Sequence, residues 1–176
     1  MGEASKANEP ANRALDPLRA LVGLWDTEIR WSEKAHKLVG GPASVRSSVT
    51  FAWVEDRCFL VHHIGNNDSP AARWIIGADE TSGGFALLYA DGRGVSRIYQ
   101  MRLAAGVWRI WRDSPGFHQR FIGHLSPDQR TIEVHWEKSS DGNSWELDFE
   151  VTYTKSDQSV ADSFSNRPAG VQRGDG

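Results

Sequence analysis

The chain has 176 residues and a formal net charge of −3 at pH 7, and its 10% aromatic residues include eight tryptophans. This length favours one domain, and the aromatic rings supply a large apolar core. Charges of both signs without a basic excess argue against nucleic acid as the main partner. The single cysteine excludes an internal disulfide and fits a reducing compartment.

The two ends of the chain are polar and lack hydrophobic periodicity. Residues 1–13 and 156–176 are therefore predicted to be disordered, and residues 14–155 to form the folded domain. The N-terminal segment has no apolar stretch of the secretory type, and no segment reaches the length of a membrane span. We therefore expect a cytoplasmic protein without a membrane span.

A short helix is predicted ahead of the strands. Asp16 is a typical N-cap, and Pro17 suits the first helical position. Leu18, Leu21 and Val22 then lie on one face over one or two turns. We expect this helix to close one end of the fold.

Alternation of apolar and polar residues predicts about ten short strands joined by tight turns. They cover residues 24–32, 44–54, 58–64, 73–78, 85–89, 95–103, 107–112, 117–125, 132–137 and 145–153. Residues 33–42 are predicted to form a polar loop, because they contain a Gly-Gly-Pro break. The last strand alternates most clearly, with Leu147 and Phe149 predicted inward and Asp148 outward.

Consecutive hairpins of this number have few ways to bury their edges except by closing into a barrel. The predicted fold is therefore all-β: a single antiparallel up-and-down β-barrel of about ten strands with a short N-terminal helix. A barrel of this size encloses a space, and a ligand would bind there.

Gly23-Leu24-Trp25 after a short helix, followed by this series of strands, is similar to the calycin superfamily of lipocalins, fatty-acid-binding proteins and nitrobindin-type haem barrels. The segments 88–99, 108–112, 117–121 and 136–139 resemble uncharacterised bacterial lipocalin-like proteins. The resemblance covers about residues 18–155 and implies the barrel fold, but little about chemistry. Arg97-x-Tyr99 also resembles the inward Arg-x-Tyr with which fatty-acid-binding proteins hold a carboxylate.

Four polar residues fall on strand faces that we expect to point inward: Arg97, Tyr99, Arg109 and Gln119. A buried guanidinium needs an acid, water or an anionic ligand, because an unpaired buried charge is costly. Few carboxylates fall on inward faces, so the pattern favours a ligand with an anionic or carbonyl end. Two alternatives stay open. The arginines cover a barrel end, or the strand at 107–112 has the opposite register and Arg112 replaces Arg109 inside.

The apolar part of the predicted site shares these inward faces and comprises Trp25, Ile29, Trp31, Phe51, Tyr89 and Trp111. Together the two sets predict the binding of a small hydrophobic molecule with an anionic or carbonyl end. An isomerase or cyclase that uses the same pocket is the enzyme alternative, with Tyr89, Tyr99 and an arginine as its polar groups. We assign no catalytic residues.

Haem binding is a further alternative, because haem needs only one axial histidine. His62 and His63 are adjacent on one strand and point to opposite faces, and His63 is the predicted inward candidate. We predict no metal site, since the histidines and Cys58 lack metal-ligand spacing. Another alternative is an interaction protein whose barrel is filled by its own side chains and has no cavity. A homodimer is also left open.

Overall fold

The structure is a computed structural model that describes residues 13–54, 57–65 and 72–157. A 3₁₀ helix (Arg13–Leu21) precedes the strands, and helix α1 (Glu33–Val39) follows the first of them. The strands are β1 (Gly23–Trp31), β2 (Ser44–Val54), β3 (Phe59–Ile64), β4 (Ala72–Asp79), β5 (Gly84–Asp91), β6 (Ser96–Ala104), β7 (Val107–Arg112), β8 (His118–Leu125), β9 (Thr131–Ser139) and β10 (Glu146–Lys155). The disorder predicted for the termini concerns residues that lie outside the described ranges, apart from 13, 156 and 157.

Each strand pairs antiparallel with its neighbours in sequence, and β1 pairs with β10 to complete the ring. In that closing pair Trp25 lies opposite Lys155, and Trp31 lies opposite Phe149. Among the ten strands that the structure describes, no edge is left open, which removes the main liability of a long antiparallel meander. The predicted all-β barrel is therefore confirmed.

The 3₁₀ helix closes one end of the barrel. Its buried residues Leu15, Leu18 and Leu21 are spaced by three, which aligns them along one edge of a helix with three residues per turn. The indole Nε1 of Trp25 donates to the carbonyl oxygen of Leu21 at 2.7 Å and ties the helix to β1. The helix begins at Arg13 rather than at Pro17, because Leu15 extends the apolar edge by one turn.

Helix α1 lies at the other end of the barrel, where the sequence predicted a polar loop. The Ser32 hydroxyl accepts a hydrogen bond from the backbone N–H of Ala35 at 3.2 Å, which caps the first turn. Lys34 Nζ lies 2.5 Å from Glu146 Oε2 and links α1 to β10. The loop prediction was wrong because it gave weight to Gly40 and overlooked the N-cap.

None of the helices in the described ranges is long and apolar enough to cross a membrane.

Strand β10 contains a register shift between Leu147 and Phe149. Such a bulge adds one residue to a strand and changes which side chains face inward. Leu147 is 39% exposed, whereas Asp148 lines the interior. The predicted alternation holds for Phe149 and the residues after it, but it was wrong for Leu147 and Asp148.

Candidate functional site

A cavity of about 540 Å³ occupies the half of the barrel near α1. This volume suits a small organic ligand. Aromatic rings make up much of its wall: Trp31, Trp74, Tyr89, Tyr99, Phe117, Trp136, Phe149 and Tyr153. The interior is therefore not packed shut by its own side chains, and the alternative of a filled barrel was wrong for this half.

One row of inward side chains descends from the cavity mouth to the buried core. Direct cross-strand pairing joins Arg97, Tyr89, Trp74, His62 and Phe51 in that order. Arg97 and Tyr89 are half-buried, whereas the other three are buried. The ring centroids of His62 and Trp74 are 4.3 Å apart, and those of Phe51 and His62 are 4.1 Å apart in a stacked arrangement. The row forms a continuous, mainly aromatic wall.

The guanidinium of Arg97 lies at the upper end of this row. Its central carbon is 5.6 Å from the ring centroid of Tyr89 and 5.1 Å from that of Phe117. Within residues 13–54, 57–65 and 72–157, no carboxylate forms an ion pair with it. Stacking on aromatic rings offsets only part of the cost of removing a guanidinium from water, and it leaves the N–H donors of the group without acceptors. Arg97 therefore retains hydrogen-bonding capacity toward the cavity.

Two carboxylates that were not predicted from the sequence line the cavity, and each accepts a hydrogen bond from a cationic side chain. Asp91 accepts hydrogen bonds from Tyr89 Oη at 2.7 Å and from Arg93 Nη2 at 2.5 Å. These two donors, with Arg93 the stronger, hold the pKa of Asp91 far below its usual range, and burial raises the pKa of Tyr89 to about 12. Asp148 accepts from Lys138 Nζ at 2.7 Å. Neither carboxylate pairs with Arg97.

Tyr99 and Gln119 form a second polar group in the wall, on β6 and β8. Tyr99 Oη donates to Gln119 Oε1 at 2.6 Å, and both side chains are buried. Burial raises the pKa of Tyr99, so its hydroxyl stays protonated. The amide nitrogen of Gln119 has no hydrogen-bond partner in the described part of the chain, so it can donate to a ligand.

The structure places six predicted site residues along the cavity: Ile29, Trp31, Tyr89, Arg97, Tyr99 and Gln119. Trp25 and Phe51 do not line it. They are fully buried in the core nearer the 3₁₀ helix. Their inward orientation was predicted correctly, but alternation along a strand gives no information on depth in a barrel.

The register of β7 turns Arg109 and Trp111 outward, against the prediction. Trp108 and Ile110 are the buried residues of this strand, and Arg109 is exposed. Both faces of β7 carry an apolar residue, so its sequence did not fix the register. Arg112 shares the inward face, as the alternative register requires. However, its guanidinium donates to Ser114 Oγ at 2.9 Å, and Arg112 does not line the cavity.

His63 was predicted inward, but it lies on the outer face. Its Nδ1 accepts a hydrogen bond from Arg73 Nε at 3.3 Å. His62 points inward instead and is 0% exposed. Burial lowers the pKa of His62 to about 3, so its imidazole is neutral at physiological pH. Leu60 and Ile64 lie on the face of His62, while Phe59 and Val61 lie on the face of His63. Because both faces are apolar, the pattern does not indicate which histidine points inward.

His62 does not fit the role of an axial haem ligand. An axial histidine must present a ring nitrogen toward the iron. Both ring nitrogens of His62 are covered, with Phe51 stacked on the imidazole and Trp74 against it. Neither His62, whose ring nitrogens are covered, nor His63, which lies on the outer face, therefore offers an accessible axial ligand inside the barrel. In the described part of the chain, no group of three or more His, Cys, Asp or Glu side chains could hold a metal ion.

Comparisons with known proteins agree with the barrel fold. No family model matches the chain, and no curated protein matches it. Among solved structures, the chain is similar to that described as "Crystal Structure of Rv2717c from M. tuberculosis", with 12% sequence identity and a TM-score of 0.58. The similarity covers 83% of this chain and 99% of that one. At this identity, the likeness shows the fold alone.

Proposed function

We propose that this protein binds a small, mainly hydrophobic molecule with an anionic or carbonyl end inside the barrel. The observation that carries the proposal is Arg97, a half-buried cation in an aromatic cavity with no carboxylate partner in the described ranges. A cation in such a place needs compensation, and a ligand carboxylate or carbonyl oxygen supplies it. The two cavity carboxylates already have cationic partners of their own.

The surroundings of Arg97 suit such a ligand. Tyr99 and Gln119 add hydrogen-bonding groups nearby, and the aromatic wall accommodates an apolar body. A barrel with an internal ligand is typical of calycins. We also propose that the chain is a bacterial lipocalin-like protein that acts in the cytoplasm. The homodimer left open above is a matter for direct measurement of the oligomeric state.

The enzyme alternative finds little support in the site. A general acid works best when its pKa lies near the working pH. Burial raises the pKa of Tyr99, and it raises that of Tyr89 to about 12. Both hydroxyls are therefore weak proton donors, and binding without catalysis is the better account.

The proposal is tested with anilinonaphthalene sulfonate, an aromatic dye with one negative charge. We expect the dye to bind the wild-type protein, and Arg97→Leu to weaken its binding by about tenfold or more, because a charge-assisted hydrogen bond is lost. Arg109→Leu is the matched control, since it removes an exposed arginine outside the cavity. Thermal unfolding of Arg97→Leu should change little, since ring stacking contributes only about 1 kcal/mol.

Equal dye affinity in wild type and Arg97→Leu would contradict the proposal. Native mass spectrometry of freshly purified protein gives an independent check. A co-purified small molecule that Arg97→Leu fails to retain would support the proposed site, whereas a bare mass together with no dye binding would count against it.

A further inference from the structure

The deep end of the cavity contains two polar side chains without partners. Trp74 is 5% exposed and His62 is 0% exposed, and both line the cavity. Trp74 Nε1 and both ring nitrogens of His62 have no hydrogen-bond partner in the described part of the chain. A buried donor or acceptor left without a partner destabilises the folded protein, because it has lost its hydrogen bonds to water. Three such atoms from two touching side chains therefore require an explanation.

These two residues lie below Arg97 in the same inward row. Trp74 is two strands away from Arg97, and His62 is three strands away. Neighbouring strands are about 4.8 Å apart, so the path along the wall from Arg97 is about 10 Å to Trp74 and about 14 Å to His62. A single small ligand can therefore span from the cation at the mouth to the polar pair below.

The polar pair is uncharged. An indole N–H only donates, while a neutral imidazole has one donor and one acceptor. Phe51, Trp74 and Tyr153 surround the His62 ring, so its neighbours are aromatic. A carboxylate would find no countercharge here. A hydroxyl can accept from the indole and donate to the imidazole, and a carbonyl oxygen can accept from both rings.

Access to these nitrogens requires a local movement. All three nitrogens are closed to a water-sized molecule, so water does not satisfy them in this conformation. The rings of His62 and Trp74 cross at 61°. Binding of an oxygen at these nitrogens therefore requires the two rings to separate, and the hydrogen bonds formed would then offset the cost of leaving the nitrogens unpaired.

We propose that the ligand carries a second, uncharged oxygen at the end opposite its anionic group, and that Trp74 and His62 bind this oxygen at the bottom of the cavity. The inference rests on the proposed function and specifies its ligand class: an elongated hydrophobic acid with a hydroxyl or carbonyl at its far end.

The test compares two series of straight-chain carboxylic acids that end in a methyl group or in a hydroxyl, at matched chain lengths, by isothermal titration calorimetry. In the wild type, at chain lengths that bridge Arg97 and Trp74, the hydroxyl acid should bind at least as tightly as the methyl acid. Trp74→Phe should weaken the hydroxyl acid about tenfold relative to the methyl acid, because its terminal oxygen loses a donor. Trp108→Phe is the matched control.

Trp108 suits this control because its indole nitrogen is also buried without a partner in the described ranges, yet it does not line the cavity. His62→Phe provides a second variant if Trp74→Phe is poorly folded, and it should shift the preference in the same direction. The Nε1–H resonance of Trp74 gives a readout without mutation. It should move with the hydroxyl acid more than with the methyl acid, while that of Trp108 should not.

The outcomes separate the two proposals. If the wild type prefers the methyl acid by the same ratio as Trp74→Phe, the second oxygen site is wrong, although loss of both acids in Arg97→Leu would still support the proposed function. If neither acid binds, or if Arg97→Leu leaves both affinities unchanged, the proposed function fails and this inference fails with it.

Discussion

Replacing His62 with phenylalanine should remove a large part of the acid sensitivity of this protein. His62 is fully buried against Phe51 and Trp74, and its two ring nitrogens lack partners in the described part of the chain. A phenyl ring retains the shape and removes the titration. At neutral pH we expect the variant to be at least as stable as wild type, because two unsatisfied nitrogens are replaced by carbon.

The magnitude follows from the pKa of His62, which burial lowers from 6.5 to about 3. Between these values the unfolded chain binds a proton that the folded protein does not bind. The free energy of unfolding therefore falls as the pH decreases, by about 1.4 kcal/mol per pH unit. From about pH 7.5 to about pH 4.5, His62 should account for a loss of about 2.5 kcal/mol. Above about pH 7.5 the imidazole is neutral in both the folded and the unfolded chain, so His62 no longer changes the free energy of unfolding with pH.

Urea unfolding at a series of pH values measures this difference directly. The free energy of unfolding of wild type should decline more steeply than that of His62→Phe across this interval, and the two curves should diverge by about 2.5 kcal/mol. His124→Gln is the control, because it removes an exposed histidine of β8. Parallel curves for wild type and His62→Phe would refute the buried, neutral histidine and the inward register of β3.

Two further substitutions test the packing of the barrel. Tyr99→Phe should lower the free energy of unfolding by about 1–3 kcal/mol, because it leaves the buried oxygen of Gln119 without its donor. Tyr153→Phe is the control, since the Tyr153 hydroxyl has no hydrogen bond within the described ranges. An equal loss of unfolding free energy in the two variants would refute the stabilising role of the Tyr99–Gln119 hydrogen bond. Gly84→Ala should lower the thermal midpoint, because the added Cβ would lie 2.8 Å from a backbone oxygen of the next strand. Gly77→Ala makes only ordinary contacts and should have a smaller effect; the reverse order would contradict the β5–β6 pairing.

The candidate site was only partly predictable from the sequence, and the reason differs between strands. In β6, the face opposite Arg97 and Tyr99 is mainly polar, with Ser96, Gln100 and Arg102 beside the apolar Ile98, so their inward orientation was predicted correctly. In β3 and β7 both faces carry apolar residues, so the pattern did not distinguish His62 from His63 or fix the position of Arg109. In β10 the alternation looked clear, but the bulge before Phe149 reversed it, because a bulge is set by pairing with β9.

The sequence by itself determined the strands, their antiparallel order and the closure of the barrel. These features follow from period-two alternation, from the turns between strands and from the need to bury strand edges. Only the tertiary structure decided the depth of each inward residue and which groups meet across the cavity. Depth depends on strand tilt and register around the ring, and contacts such as that of His62 with Trp74 form between strands whose registers no single segment encodes.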